Sequence, residues 1–122
     1  MARATILVAD DSANIRALIN YRLTGLGFHV VEAANGHEAV RLARSCQPSV
    51  ILLDLCMPGM DGLDAASHIR TDPALEDVPI IAMSAYGAEV MHHAARSVGC
   101  RHFMVKPFDL AEMTDNVNAF LS

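Results

Sequence analysis

Lysine is nearly missing from this chain. Eight of the nine basic residues are arginine, the ninth is Lys106, and fourteen Asp and Glu leave a formal net charge of −5. So little positive charge argues against direct nucleic-acid binding, which depends on neutralising phosphates. Long apolar runs are missing as well. No stretch approaches the roughly 18 uninterrupted apolar residues of a membrane span. The N-terminal "MARATILVADD" reaches an acid pair too soon for a secretory signal. A protein of the cytoplasm, with no membrane association, is the expectation. Cysteine is scarce: Cys46, Cys56 and Cys100 are odd in number and widely spaced, which reads as reduced thiols and not as a disulfide framework. Repeats, linkers and low-complexity segments are lacking too, and a 52% apolar composition with mean hydropathy +0.28 excludes disorder. One domain over residues 1–122 is expected, with no room in it for an output module.

What is present alternates. Short β-branched and apolar runs occur at Thr5–Ala9, Val30–Ala33, Val50–Leu53, Pro79–Met83 and His102–Val105. Three of them are apolar almost throughout, the pattern of strands covered on both faces of a parallel sheet. Helical spacing fills the intervals. Ile15, Leu18, Ile19, Leu23 and Leu26 form one stripe, and Ala39, Val40, Leu42 and Ala43 a second. Three more helices fall at about Leu63–Arg70, Glu89–Val98 and Leu110–Leu121. Asn35 with Glu38, and Asp109 with Glu112, have the spacing of a capping box, while Gly25, Gly27 and Gly99 stand where helices stop. The pattern predicts (βα)5, a doubly wound parallel sheet of five strands with helices on both faces.

In such a sheet ligands bind beyond the carboxyl ends of the strands. Asp10 and Asp11 follow the first strand, Asp54 ends the third, Ser84 follows the fourth and Lys106 ends the fifth. All five polar groups are therefore expected at one edge. Asp54 closes the apolar run "VILLD", where a charged carboxylate is costly unless something compensates it. Crowded carboxylates repel one another and raise at least one pKa in the absence of a cation. Hard oxygen ligands open to phosphate favour Mg²⁺, which takes few carboxylates and keeps several waters. One carboxylate is then free for chemistry. Asp54 is the candidate nucleophile toward phosphorus, with Lys106 and Ser84 contacting phosphoryl oxygens. Each feature also has a plain explanation, since an Asp pair after a strand is often only a helix N-cap.

Taken in order, "VADD", "LLDLCMPGMDG", "IIAMSA" and "FMVKPF" resemble the four signatures of the response-regulator receiver domain, over essentially the whole chain. The resemblance implies strand order 2-1-3-4-5 and a phosphoacceptor switch of a two-component or phosphorelay system. It makes Asp54 the phosphoacceptor and gives Mg²⁺ to Asp11, Asp54 and the Cys56 carbonyl, with Asp10 acting largely through water. Lys106 would contact the phosphoryl group, Ser84 would be the switch hydroxyl, Phe103 would stand for the switching aromatic, and Lys106–Pro107 would be cis. Cys56 and Tyr86 occupy positions that tune phosphoryl lifetime in that family. Partners would be a sensor histidine kinase or histidine phosphotransfer protein and an unnamed downstream protein, and the chain would not be a turnover enzyme. Ser84 stands where the family more often has Thr, and Phe103 where Tyr is frequent.

Two other classes fit less well. An aspartate-nucleophile phosphatase of the haloacid-dehalogenase type carries a second acid two residues after its nucleophile, where this chain has Cys56. An FMN-binding flavodoxin-like protein needs a Ser/Thr/Gly-rich loop after the first strand, where this chain has Asp10–Asp11. His92, His93, Cys100 and His102 match no closed zinc ligand set, and the methionines read as core gap-fillers. Ala13, Ala17 and Tyr21 recur every four residues on the first helix. They are either a surface for a close-approaching partner helix or ordinary helix-favouring surface.

Overall fold

The computed structural model describes residues 3–121. Five parallel strands, β1 (Thr5–Ala9), β2 (His29–Ala33), β3 (Val50–Asp54), β4 (Ile80–Ser84) and β5 (His102–Val105), form one sheet in the order β2-β1-β3-β4-β5. The helices between them are α1 (Ala13–Gly25), α2 (Gly36–Cys46), α3 (Gly62–Arg70), α4 (Glu89–Ser97) and α5 (Leu110–Leu121), with a 3-10 turn at Pro73–Leu75. The (βα)5 expectation and its implied strand order hold.

Side chains of successive strand residues point to opposite faces, and the sheet divides its apolar residues accordingly. Ile6, Val8, Leu52, Ile81 and Met83 join Ile19 and Leu23 of α1 and Met113 and Val117 of α5 in one core. Leu7, Ala9, Ile51, Leu53 and Ala82 join Ala39 and Ala43 of α2, Ala65 and Ile69 of α3, and Ala95 of α4 in the other. The strands β3 and β4 are buried at every residue, whereas the edge strands β2 and β5 are exposed in part. This is why β1, β3 and β4 read as unbroken apolar runs.

The boundaries shift by a residue or so. Asp54 and Ser84 are the last residues of their strands, β2 begins at His29, α3 begins at Gly62 and α4 ends at Ser97. Within α1 the apolar stripe is wider than the surface it covers. Ile19 and Leu23 are buried, but Leu18 is 58% and Leu26 51% exposed. Leu26 is the residue just past the end of α1. Asn35 Oδ1 accepts from the Glu38 N–H at 2.8 Å, and Glu38 Oε1 accepts from the Ala34 N–H at 2.9 Å, one residue upstream of a reciprocal capping box. Asp109 Oδ1 accepts from the Glu112 N–H at 2.6 Å. Gly27 and Gly99, at φ +95° and +94°, take the left-handed conformation that glycine adopts cheaply.

The turn that leads Asp54 into α3 depends on one missing side chain. A Cβ on Gly62 would collide with the Asp54 carbonyl and the Leu55 Cα, both of them backbone that cannot swing aside. Only glycine lets the N-terminus of α3 lie against the end of β3. Gly62→Ala should therefore cost about 1–3 kcal/mol, as overpacking does, and lower Tm by several degrees. Gly25→Ala, whose added methyl meets nothing within 4 Å, should be neutral or stabilise by up to ~1 kcal/mol. Thermal unfolding of both variants checks this, and equal melting temperatures would contradict it.

Candidate functional site

The carboxyl ends of the strands bring the expected polar groups together. Asp10, one residue past β1, is fully buried, and Asp54 is only 3% exposed. Asp11 faces solvent. Each of these three acids offers an oxygen within 4.8 Å of the other two. Lys106, the residue after β5, reaches into the group: its Nζ lies 2.6 Å from Asp10 Oδ2 and 3.3 Å from Asp54 Oδ2. Backbone amides hold the remaining oxygens. The Ser12 N–H donates to Asp10 Oδ1 at 2.9 Å, and the Cys56 N–H donates to Asp54 Oδ1 at 3.0 Å.

The plain account of the acid pair as a helix cap does not hold, because the N-cap of α1 is Ser12, whose side chain accepts from the Ile15 N–H. Both acids are thereby left to the site.

Ser84 is fully buried. Its hydroxyl accepts from the Tyr86 N–H at 3.0 Å and lies 3.7 Å from Cys56 Sγ. The Lys106 N–H donates to the Ser84 carbonyl at 2.8 Å, tying the ends of β4 and β5 together. The Lys106–Pro107 peptide is cis. Cys56 is exposed, and Tyr86 is 65% exposed. Phe103 is not at this edge. It sits beside Ala82 in the ladder and stacks on His92 of α4, ring centres 4.0 Å apart. His92 is thus half-buried against a ring.

Electrostatics follow from this crowding. Burial pushes the Asp54 carboxyl up to about 6; the Cys56 N–H draws it back, Asp10 raises it further and Lys106 lowers it. For Lys106, burial alone would lower the pKa, but the hydrogen bond to Asp10 and the charges of Asp54 and Asp10 outweigh it and raise the value. An anion cluster shares one ammonium. It is short of positive charge.

Arg16 and Glu32 escaped the sequence reading. Arg16 Nη1 donates to the Asp10 carbonyl at 2.7 Å and its Nε to Glu32 Oε1 at 3.0 Å. The available signal was weak: an arginine one turn into α1 and an acid in an otherwise apolar edge strand.

The chain matches the family described as "Response regulator receiver domain" over residues 6–118. It belongs to that family. The receiver is 36% identical over 116 residues to "Probable transcriptional regulator ycf27" of Porphyra purpurea, a match spanning 95% of this chain and 46% of that relative. It thus spans about half the length of that relative. It is 33% identical to "Sporulation initiation phosphotransferase F" of Bacillus subtilis, over 99% of this chain and 96% of that one. Among solved structures, the receiver domain of sensor histidine kinase PA1611 from Pseudomonas aeruginosa PAO1, described with a magnesium ion coordinated in its active-site cleft, superposes with TM-score 0.90 at 30% identity, covering 98% of each chain.

The raised Asp54 pKa of the receiver has a consequence for stability. The unfolded chain releases this proton near pH 4 and the folded chain near 6. Folding stability therefore falls as pH rises through that window, and the cost persists above it. In chelator at pH 7.5, Asp54→Asn should stabilise the fold by about 2 kcal/mol, and at pH 4 most of that difference should be gone. Thermal unfolding at the two pH values measures this, and an Asn variant that melts lower at pH 7.5 would contradict it.

Proposed function

We propose that this receiver is a phosphoacceptor switch of a two-component or phosphorelay system, with Asp54 as the residue that carries the phosphoryl group. The observation that carries the reading is the contact of Asp54 Oδ2 with Lys106 Nζ at 3.3 Å, at the end of a buried strand beside two further acids. A carboxylate made costly by burial and held next to an ammonium is suited to a reaction that changes its charge.

The donor set fits Mg²⁺. Asp10, Asp11 and Asp54 supply hard oxygens, one of them on an exposed residue, and the Cys56 carbonyl is the further candidate ligand. When bound, the ion would offset the repulsion of the acids and neutralise charge on a phosphoryl group. Asp54 attacks phosphorus of a phosphohistidine on a kinase or phosphotransfer protein; the P–N bond breaks, the imidazole takes back the electron pair, and an aspartyl phosphate forms. Lys106 balances the phosphoryl oxygens. The Ser84 hydroxyl, engaged with the Tyr86 N–H, would turn to the phosphoryl group as the switch. Phe103 has no hydroxyl, so its share in the switch is by packing, against His92.

The magnesium described for the Pseudomonas receiver supports the metal assignment by likeness, as the phosphotransferase name of the Bacillus relative supports the transfer. An apolar groove of 410 Å³ beside Lys106, lined by Ile15, Leu18, Ala85, Pro107 and Phe108, suits a histidine-bearing helical partner. The exposed Ala13, Ala17 and Tyr21 lie on the same helix. No described helix is long and apolar enough to cross a membrane. We place the exchange in the cytoplasm as part of the two-component reading. In this reading the domain is a switch that turns over only its own phosphate, and the signal leaves through a downstream protein that binds it.

Lifetime follows from the flanks. The weakly hydrogen-bonding Cys56 and the broad ring of Tyr86 give an attacking water little to hold, so phosphoryl loss should be slow. Incubation with acetyl phosphate and Mg²⁺ should add one phosphoryl group, absent in Asp54→Asn and in chelator. After donor removal, Cys56→Asn with Tyr86→Glu should lose it about tenfold faster. Mass spectrometry reads both steps. Equal labelling of Asp54→Asn would contradict the assignment.

A further inference from the structure

Asp10 is held from every side. Its N–H donates to the Ala33 carbonyl at 3.1 Å, its Oδ1 accepts from the Ser12 N–H, its Oδ2 takes the Lys106 ammonium, and its carbonyl takes Arg16 Nη1 at 2.7 Å. The last bond fixes more than Asp10. That carbonyl belongs to the peptide plane that leads into Asp11, so its direction sets where Asp11 stands relative to Asp54.

Arg16 is itself fixed. Nε donates to Glu32 Oε1 at 3.0 Å, Asn20 Nδ2 donates to Glu32 Oε2 at 2.7 Å, and Thr24 Oγ1 donates to Asn20 Oδ1 at 2.7 Å. Its side chain is only 17% exposed. The planar guanidinium gives two donors in a rigid arrangement, one for the site and one for the anchor, and the Glu32 carboxylate balances its charge.

We infer that Arg16 is a positioning residue for the metal-binding acids: by fixing the Asp10–Asp11 peptide it sets the affinity of the acid cluster for a divalent cation, with Glu32 and Asn20 holding the arginine in place. This rests on the metal reading given above. Among the described residues Arg16 is the hydrogen-bond donor seen at the buried Asp10 carbonyl, so without it the loop must turn toward water to find another. Groups that orient metal ligands commonly alter affinity ten- to a hundredfold.

Charge alone predicts the opposite. Deleting a cation close to the acids should strengthen Mg²⁺ binding by Coulomb attraction, whereas loss of positioning should weaken it. The experiment is Mg²⁺ titration by calorimetry, with Mg²⁺ alone as the probe, at a temperature where each protein is folded. Arg16→Ala should bind at least tenfold more weakly than wild type. Arg16→Lys, with one ammonium for two acceptors, should fall between them and serves the same test should the alanine variant not fold. Arg22→Ala removes another α1 arginine, one bonded to Thr114 Oγ1 at 3.2 Å, and should bind as wild type does. Arg16→Ala or Arg16→Lys binding as tightly as wild type, or more tightly, would overturn this inference and leave the metal reading intact. A wild-type protein that binds no Mg²⁺ would overturn both.

Discussion

A single ammonium set among buried carboxylates governs this molecule. Lys106 meets Asp10 at 2.6 Å and Asp54 at 3.3 Å while Asp11 adds a third acid nearby. One positive charge cannot balance three negative ones, two of them buried away from water. Burial, with the charge of Asp10 adding to it, raises the pKa of Asp54 in spite of the ammonium. Such an arrangement is poor for stability and good for capturing a cation or an electrophile that relieves it, a trade common where sites carry perturbed ionisations.

The rest of the fold serves to hold that imbalance in place. Parallel strands all end at one edge, so residues far apart in sequence, such as Asp10 and Lys106, meet without a dedicated loop. The two apolar cores clamp the sheet from both faces, which keeps the strand ends rigid. The loops then add directional groups. Ser12 and Cys56 give their N–H groups to the two buried acids, Gly62 lets α3 approach Asp54, and Arg16 fixes the peptide between Asp10 and Asp11.

What could be read from the residues divides along physical lines. The strands β1 and β5 begin and end where their apolar runs do, because burial writes itself into composition. The convergence of Asp10, Asp11, Asp54, Ser84 and Lys106 on one edge was legible because the alternation of strand and helix determines it. The exposure of Leu18 and Leu26 was not, since helical period gives the direction of a stripe but not the width of the surface that covers it. Arg16 was illegible for a related reason: a long side chain can reach a backbone carbonyl six residues away only after the loop between them has a shape. Phe103 was located on its strand correctly, but its contact with His92 depends on how α4 packs.

The cost of holding Asp54 charged among buried neighbours can be observed directly. Carboxyl carbon NMR of the receiver, titrated between pH 3 and pH 9 without and with Mg²⁺, follows the ionisation of Asp54 itself. The account predicts a midpoint near 6 in the metal-free protein and a clear fall when Mg²⁺ is present. A midpoint near the ordinary value of about 4, unmoved by Mg²⁺, would contradict it.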